Sequence, residues 1–358
     1  RIAGRGRLSR PRTRLHCGNA GTTARLLLGL LAAHRFETEL TGDRSLRRRP
    51  MARVTVPLGR MGARFTPGNA PTLPLSVRGG TLAPLRWDLP VSSAQIKGSL
   101  LFAGMAGGVE VSLLEPGGLS RDHSERLLRA FGFGVETRDG RVEFAPSGQV
   151  TPFDAQVPGD PSSAAFLVGA ALLAEGGELG LPGVGVNPTR TGFLEVLSRM
   201  GASVEVHEVE DRFGEPVGTI YARPSALRHT EVRASEIPGL VDEVPLLSVL
   251  ASRAEGTTIF RDVGELRVKE SDRLSLIAAN LRAVGAAADV VGNDLHVQGA
   301  APPPKGRIRT DGDHRLAMAF AVLGTVRGAR ISIDDKDCAD VSFPGFFQAL
   351  REIGKRGA

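Results

Sequence analysis

The fold prediction starts from Leu197-Ser-Arg-Met-Gly201, which is followed by the alternating stretch Ser203-Val-Glu-Val-His207. Leu197 and Met200 are three residues apart, so they share one face of a helix. Gly201 can adopt the left-handed conformation that ends a helix, and the alternation after it indicates a strand. This stretch therefore predicts a helix, a glycine stop and a strand in succession.

The same pattern occurs five times along the chain. It ends at glycines that are 70, 69, 84 and 69 residues apart, namely Gly62, Gly132, Gly201, Gly285 and Gly354. One copy would be unremarkable in an α/β protein, but five copies at similar spacing indicate an internal repeat. We therefore expect repeated α/β modules of about 70 residues.

A change in composition indicates a boundary between two lobes. Pro146, Gly148 and Pro152 follow the predicted strand Arg141-Val-Glu-Phe144. We place the N-terminal lobe at residues 1–154, with two modules and a remnant, and the C-terminal lobe at 155–358, with three modules. A step of one repeat back from Gly62 falls before residue 1, so we expect the first module to be truncated.

Composition excludes several classes of protein. Of the 358 residues, 41% are hydrophobic and 23% are charged, which suffices for large packed cores. The longest apolar and glycine run, 164–174, is too short to span a bilayer, and no signal peptide is expected at the start. Cys17 and Cys338 give neither a disulfide framework nor metal-ligand spacing. We expect a cytoplasmic protein.

Positive charge is concentrated near the start of the chain. Residues 1–64 hold fifteen arginines, no lysine and three acidic residues, whereas the whole chain has a net charge of +6. The bias is compatible with a solvated surface, with attraction of small phosphorylated or carboxylated substrates, or with nucleic-acid binding. A single Trp and a single Tyr offer little for base stacking, so nucleic acid is the least favoured reading.

The first candidate site is the glycine-rich segment Cys17-Gly-Asn-Ala-Gly-Thr-Thr-Ala-Arg25. Gly21 permits close backbone approach, and Thr22 or Thr23 could cap the helix that follows. Arg25 falls in the first helical turn, where a cation opposes the helix dipole unless an anion is bound nearby. A plain glycine-rich helix start remains the alternative.

Two further helix starts carry polar groups. In Val91-Ser-Ser-Ala-Gln-Ile-Lys97, Ser92 or Ser93 could cap the helix, and the Gln95 amide can both donate and accept. In Leu119-Ser-Arg-Asp-His-Ser-Glu-Arg126, Ser120 is predicted to be the N-cap. Taken alone, both segments are better explained as structural caps than as binding sites.

The C-terminal half has the densest charged segment, Glu265-Leu-Arg-Val-Lys-Glu-Ser-Asp-Arg273. Lys269 and Arg273 are four residues apart, so we expect them on one helix face, bridged by an anion. Glu270 lies between them in sequence. A solvated charge run is the alternative reading.

Other groups near helix starts complete the set. Asp242 precedes an apolar helix, where an acid is either a cap or a general base, and Arg315 follows Asp313-His in a further helix start. Asp242 and Glu270 are the candidates for proton transfer. We expect a doubly anionic site surrounded by the following cations: Arg25, Lys97, Lys269, Arg273 and Arg315. The sequence has no metal cluster, nucleophile elbow or dinucleotide fingerprint, so we expect electrostatic and acid–base catalysis.

These segments, in this order, resemble the 5-enolpyruvylshikimate-3-phosphate (EPSP) synthase family. The stretches that carry the resemblance are 18–25, 42–51, 93–97, 120–123, 266–273, 313–315 and 342–344. It implies a two-domain enolpyruvyl transferase fold, an inside-out α/β barrel of repeated βαβαββ modules. It also implies transfer of the enolpyruvyl group of phosphoenolpyruvate to the 5-hydroxyl of shikimate 3-phosphate, in the shikimate pathway to chorismate and the aromatic amino acids. That reaction needs no cofactor, and its partners are small molecules, with no nucleic acid or membrane; we expect a monomer.

The resemblance also implies roles for individual residues. Asp242 would be the base on the 5-hydroxyl, and Glu270 would protonate the enol carbon. The phosphoenolpyruvate ligands would be Gly21, Arg25, Gln95, Arg273 and Arg315. The shikimate 3-phosphate ligands would be Ser93, Ala94, Gln95, Ser120, Asp242 and Lys269.

Two departures from the family pattern bear on activity. No Gly-Ser-Lys-Ser-type segment precedes the first motif, and Val341 replaces a lysine that some members carry before Ser-Phe-Pro. We therefore expect this chain to be impaired, or to be a noncatalytic remnant that still binds anions. A sister enzyme of the same fold, which acts on a UDP-sugar, lacks the 42–51 and 120–123 motifs and is a weaker match.

Overall fold

A computed structural model describes residues 8–68, 71–117 and 120–356, with the backbone alone at 354–356. The chain divides into two compact lobes; the N-terminal lobe ends at Asp154 and the C-terminal lobe begins at Ala155. Each has its own hydrophobic core. The remnant expected at the start falls partly on residues 1–7, which lie outside the described ranges.

The N-terminal lobe contains two βαβαββ modules in succession. The first consists of β1 (Leu15–His16), α1 (Gly21–Ala32), β2 (Glu37–Thr41), α2 (Ala52–Met61), β3 (Arg64–Thr66) and β4 (Leu75–Arg78). The second consists of β5 (Leu85–Asp88), α3 (Ala94–Gly107), β6 (Val111–Leu114), α4 (His123–Ala130), β7 (Gly134–Arg138) and β8 (Arg141–Ala145). The sheet orders are β1-β2-β4-β3 and β5-β6-β8-β7, so the two modules share one topology.

This topology follows from the connections between strands. β1 and β2 are parallel and are joined across α1, whereas β3 and β4 form an antiparallel pair. In β4, Leu75 and Val77 are buried while Arg78 is exposed, which is the alternation of a sheet with one face on the core. The α/β prediction with βαβαββ modules is confirmed.

Helices α1 and α3 touch directly at Gly29. A Cβ at this position would lie 1.9 Å from the Ser99 carbonyl oxygen, so only glycine permits the approach. The Ser99 hydroxyl donates a 2.7 Å hydrogen bond to the Arg25 carbonyl oxygen. These contacts fix α1 and α3 relative to each other.

The C-terminal lobe contains three variants of the module. The third has α5 (Pro161–Leu172), β9 (Leu179–Gly185), α6 (Gly192–Arg199), β10 (Ser203–Arg212) and β11 (Glu215–Arg223). The fourth has β12 (Glu231–Val232), α7 (Val244–Ala251), β13 (Thr257–Phe260), α8 (Arg273–Ala283), β14 (Ala288–Val291) and β15 (Asp294–Gln298). The fifth has β16 (Lys305–Ile308), α9 (His314–Leu323), β17 (Arg330–Ile333) and α10 (Phe346–Arg356).

Over the residues that the structure describes, the fourth of these variants alone has all six elements. Its sheet order is β12-β13-β15-β14, which matches the N-terminal modules. In the third module, a single parallel bridge from Gly159 to Val184 takes the place of the first strand beside β9. Within the described residues, the fifth module has only its βαβα portion, with β16 and β17 parallel.

Four of the five glycine stops are confirmed. Gly62, Gly132, Gly201 and Gly285 follow α2, α4, α6 and α8 with φ between 78° and 120°. A residue with a Cβ would be strained in that conformation. The fifth expectation is wrong, because α10 continues through Gly354 to Arg356.

Among the helices of the described ranges, none combines the length and the apolar character that a bilayer crossing requires.

Candidate active site

In the N-terminal lobe, Arg25, Gln95 and Thr22 form one hydrogen-bonded group. An Arg25 Nη1 proton is donated to Gln95 Oε1, and Arg25 Nη2 donates to the Pro50 carbonyl oxygen at 3.0 Å. Gln95 Nε2 donates to Thr22 Oγ1 at 2.8 Å. Gly21 is the first residue of α1 and has no side chain, so the helix start leaves room beside this group. The structure thus brings together Gly21, Arg25 and Gln95 of the predicted set.

Arg25 belongs to a cluster of arginines rather than to an ion pair. Burial, with repulsion from Arg49 and Arg53, lowers the pKa of Arg25 to about 10, so it stays protonated at neutral pH. Within the described residues, no carboxylate forms an ion pair with Arg25. A bound anion would relieve both the repulsion and the burial of this charge.

Sequence reasoning did not name Arg49 and Arg53 as site residues. Arg49 Nη2 donates to Asn19 Oδ1 at 2.9 Å, and Asn19 Nδ2 donates to Asp43 at 2.7 Å. Asp43 also accepts from the Leu46 backbone, which fixes the start of the 3-10 helix Leu46–Arg48. The available signal was the 42–51 stretch, whose three consecutive arginines could not be told apart without the fold.

The predicted serines of this lobe meet at one carboxylate. The Ser93 amide donates to Glu115 Oε1 at 3.0 Å, and the Ser120 amide donates to Glu115 Oε2 at 3.0 Å. The Ser120 hydroxyl donates to Glu115 Oε1 at 2.6 Å, whereas the Ser93 hydroxyl has no partner within the described residues. Ala94 begins α3, where the first helical amides lack intrahelical acceptors.

Lys97 was expected among the cations around the anionic site, and the structure shows that this expectation is wrong. Its ammonium group is fully buried and lies 2.8 Å from Glu115 and 2.7 Å from Glu125. It also donates to the Ser120 carbonyl oxygen at 3.3 Å. Lys97 therefore compensates two buried carboxylates and does not belong to the cations available to a ligand.

The capping predictions are also corrected. Helix α1 starts after Ala20 without a side-chain cap, so neither Thr22 nor Thr23 caps it. Helix α4 has Asp122 in the N-cap position, so Ser120 is not its cap. Ser93 is the N-cap residue of α3 by position, but its side chain makes no capping hydrogen bond.

In the C-terminal lobe, a buried guanidinium joins the two candidate proton-transfer groups. Arg273 Nη1 lies 3.5 Å from Asp242 Oδ1, and Nη2 donates to Glu270. Nε donates to Asp313 Oδ2 at 2.7 Å, and the Arg273 side chain is 1% exposed. Burial alone would lower the pKa of Arg273, but attraction by Asp313, Glu270 and Asp242 raises it above its usual range.

Asp313 makes two sets of hydrogen bonds, one to the start of α9 and one to the Arg273 cluster. Sequence reasoning assigned it neither role. Its Oδ1 accepts from the Arg315 amide at 3.0 Å and so caps α9, while Oδ2 accepts from Arg273 and Ser271. Burial alone would raise the pKa of Asp313, but the Arg273 guanidinium lowers it below its usual range. Asp313 therefore links the start of α9 to the Arg273 cluster.

Arg315 extends the cluster to the far side of Asp242. Its Nε lies 3.7 Å from Asp242 Oδ1, and its Nη1 donates to the Asp242 carbonyl oxygen at 3.2 Å. The Asp242 and Arg315 side chains are 16% and 15% exposed, so both can be reached from solvent. The structure thus brings together Asp242, Glu270, Arg273 and Arg315.

Lys269 is placed differently from the expectation. The 3-10 helix Gly264–Val268 ends before Lys269, and α8 begins at Arg273, so Lys269 and Arg273 do not share a helix face. The Lys269 ammonium pairs with Glu265, and its side chain is 23% exposed.

A second hydrogen-bonded network in this lobe, which runs from the exposed Asp160 to the buried Glu243, was not predicted from the sequence. Arg190 Nη2 donates to Asp160 Oδ1 at 2.8 Å and to Ser162 Oγ at 2.9 Å. Ser162 in turn donates to Glu243, whose Oε1 lies 4.0 Å from Arg315 Nη1. These residues are far apart in sequence, so only the fold shows that they support Arg315.

His314 gives a pH-dependent contribution to stability. Burial and the neighbouring Arg315 lower its pKa to about 4, whereas the unfolded chain titrates near 6.5. The folded state binds the His314 proton less tightly than the unfolded state does. The stability that results is therefore fully present above pH 6.5 and is lost as the pH falls towards 4. The free energy of unfolding is expected to lose up to about 3 kcal/mol over this range through His314.

Denaturant titrations at several pH values check this prediction. His314→Gln should flatten the curve between pH 6.5 and 4, whereas His207→Gln on the exposed face of β10 controls for loss of an imidazole. Parallel curves for wild type and His314→Gln would contradict it.

No group of three or more His, Cys, Asp or Glu side chains within the described ranges could hold a metal ion.

Comparison with known proteins identifies the family. Residues 1–350 match the sequence profile described as EPSP synthase (3-phosphoshikimate 1-carboxyvinyltransferase). A 3-phosphoshikimate 1-carboxyvinyltransferase of Desulforamulus reducens is 46% identical over 97% of this chain and 81% of its own length. One from Thermus thermophilus is 48% identical over 98% of this chain and 82% of its own length.

A solved structure agrees with the sequence matches. The EPSP synthase of Acinetobacter baumannii superposes with a TM-score of 0.85 and 38% identity, covering 96% of this chain and 79% of that one. Sequence and structure agree over nearly the whole chain, and the chain therefore belongs to the EPSP synthase family.

Proposed function

We propose that the chain transfers the enolpyruvyl group of phosphoenolpyruvate to the 5-hydroxyl of shikimate 3-phosphate, with release of phosphate. Family membership supports this reaction. The observation that carries it is the pair of carboxylates, Asp242 and Glu270, held by one buried guanidinium, Arg273. Such a pair suits a reaction in which one proton leaves a hydroxyl and another is added to carbon.

The C-terminal lobe supplies the acid–base chemistry of the proposal. Asp242 contacts the shikimate ring and removes the proton from the 5-hydroxyl as its oxygen attacks C2 of phosphoenolpyruvate. Glu270 protonates C3, which gives a tetrahedral ketal. Elimination then returns a C3 proton to Glu270 and releases phosphate. Arg273 and Arg315 balance the charge that develops on phosphate and carboxylate.

Lys269 binds shikimate 3-phosphate in this proposal. Its ammonium is partly exposed, and its ion-pair partner among the residues that the structure describes is the exposed Glu265. Exchange of one exposed partner for a phosphate dianion costs little, because surface ion pairs contribute about 0–1 kcal/mol.

The N-terminal lobe supplies substrate-binding groups. Gly21, Arg25 and Gln95 bind phosphoenolpyruvate, and Arg49 joins them because its guanidinium lies beside Gly21 and Arg25. Shikimate 3-phosphate is bound by Ser93, Ala94, Gln95 and Ser120. Ser93 offers a hydroxyl with no partner in the described residues, whereas Ser120 must give up a bond to Glu115 before it can donate to a ligand.

Gly21→Ala tests the role of the arginine pair. The added methyl group would lie 2.9 Å from Arg25 Nη1 and 3.3 Å from Arg49 Nη1, so both guanidinium groups must shift. The KM for phosphoenolpyruvate, measured with saturating shikimate 3-phosphate, should rise about fivefold or more, as expected for a displaced charged hydrogen bond. Gly59→Ala in α2 is the matched control, because its added methyl group meets open space. An equal effect of the two substitutions would contradict the assignment.

A noncatalytic anion-binding chain is the alternative, and no observation in the structure favours it. The cytoplasmic location and the monomeric state stay predictions from the sequence. The experiment that tests the proposal combines a phosphate-release assay, with both substrates and with each alone, and calorimetry with shikimate 3-phosphate. Release that requires both substrates supports transfer, whereas binding without release would support the alternative.

A further inference from the structure

We propose that Glu115 is a positioning residue that holds Ser93 and Ser120 together for binding of shikimate 3-phosphate. The inference rests on the proposed function, because that function gives the two serines their ligand. No role for Glu115 follows from the motifs of the family resemblance, since the residue lies between the 93–97 and 120–123 stretches.

The geometry of Glu115 supports this role. Its Oε1 accepts from the Ser93 amide at 3.0 Å and from the Ser120 hydroxyl at 2.6 Å. Its Oε2 accepts from the Ser120 amide at 3.0 Å and from Lys97 Nζ at 2.8 Å. One carboxylate, 3% exposed, therefore ties the start of α3 to the segment that precedes α4.

Lys97 offsets the free-energy cost of burying the Glu115 carboxylate. An isolated buried charge costs several kcal/mol, and an ion pair with further hydrogen bonds offsets that cost. Lys97 also contacts Glu125, so the cluster holds two carboxylates and one ammonium. Burial raises the pKa of Glu125 despite the attraction of Lys97, and one Glu125 oxygen has no hydrogen-bond partner among the described residues. Glu125 contributes charge to the cluster but touches neither serine.

This difference between the two glutamates gives a matched pair of variants. Glu115→Gln and Glu125→Gln each replace a buried carboxylate that pairs with Lys97 by an amide of equal size. Only Glu115→Gln places an amide NH2 against two donors, either the Ser120 amide and Lys97 or the Ser93 amide and the Ser120 hydroxyl. An NH2 group cannot accept a hydrogen bond, so in either orientation the backbone amide of Ser93 or of Ser120 loses its acceptor.

Calorimetry with shikimate 3-phosphate is the first measurement. We expect Glu115→Gln to raise the Kd for shikimate 3-phosphate about tenfold, the scale of one lost hydrogen bond between ordered partners. Glu125→Gln should leave that Kd within about twofold of wild type, well below that scale. The KM for phosphoenolpyruvate at saturating shikimate 3-phosphate should change little in either variant.

Amide hydrogen exchange at Ser93 and Ser120 is the second measurement, and it needs no ligand. Glu115→Gln should accelerate exchange at one or both amides, whereas Glu125→Gln should leave them protected. If Glu115→Gln does not fold, Glu115→Asp replaces it. Aspartate keeps the charge but is one methylene shorter, so it cannot span both segments, and the same selective loss is expected.

The outcomes separate this inference from the proposed function. Equal affinity for shikimate 3-phosphate in wild type and both glutamine variants would overturn the inference alone, as would an equal loss in both variants. A wild-type chain that does not bind shikimate 3-phosphate would overturn the proposed function and the substrate part of the inference together. Unchanged exchange at both serine amides in Glu115→Gln would overturn the positioning role whatever the ligand.

Discussion

Replacement of Arg273 by methionine is expected to lower the free energy of unfolding by about 3–5 kcal/mol, the cost of removing one partner from a buried ion pair. Methionine approximates the aliphatic part of arginine, so the packing loss is small compared with the electrostatic loss. The guanidinium contacts Asp313, Glu270 and Asp242, and Asp313 is fully buried. Without Arg273, that carboxylate forms no ion pair within the described part of the chain. Chemical denaturation measures the loss.

Two controls make the Arg273 prediction specific. Arg267→Met removes an exposed guanidinium that lies 3.5 Å from Asp272, and it should cost less than about 1 kcal/mol. The double variant Arg273→Met with Asp313→Asn removes both charges, so it should be more stable than the sum of the two single effects indicates. Strict additivity of the two substitutions would contradict the buried ion-pair account.

Replacement of the two proton-transfer carboxylates is expected to have the largest effect on catalysis. Asp242→Asn removes the group that accepts the hydroxyl proton, and Glu270→Gln removes the group that donates a proton to C3 and takes one back. Both changes preserve size, so kcat should fall by about 10²–10⁴ in each variant. Each leaves Arg273 with two other carboxylates, so the free energy of unfolding should change less than in Arg273→Met. Steady-state kinetics of phosphate release measures the effect.

The control for the carboxylates is Asp311→Asn. Asp311 is exposed, pairs with Arg309, and has a φ of 50°, which asparagine tolerates well. This variant should keep wild-type turnover. In D2O, wild type should introduce deuterium into the methylene group of phosphoenolpyruvate in the presence of shikimate 3-phosphate, and Glu270→Gln should not. Exchange at the wild-type rate in Glu270→Gln would remove Glu270 from the carbon protonation step.

The modules were predictable because their signal is local. Each copy of the pattern spans five residues, as in 58–62, in which a leucine marks the buried face of a helix and a glycine marks its end. The structure confirms four of the five predicted helix ends. Gly354 shows the limit of this signal. Glycine permits a left-handed turn but does not require it, so the helix can continue through it as α10 does.

The charged residues were less predictable because their partners are distant in sequence. Lys97 was grouped with the ligand-binding cations, but its partners Glu115 and Glu125 come 18 and 28 residues later and bury it. Lys269 and Arg273 were expected on one helix face, but the helix starts only at Arg273. The sequence shows which side chains are charged. The groups that compensate those charges are set by tertiary contacts, which the sequence does not show.

Carbon-13 NMR of wild-type protein with [2-¹³C]phosphoenolpyruvate and unlabelled shikimate 3-phosphate tests enolpyruvyl transfer most directly. The account predicts that the label moves into a vinyl ether at the 5-oxygen of the shikimate ring, with one equivalent of phosphate released for each ether formed. Label that stays in phosphoenolpyruvate, or that appears in pyruvate as phosphate is released, would contradict it.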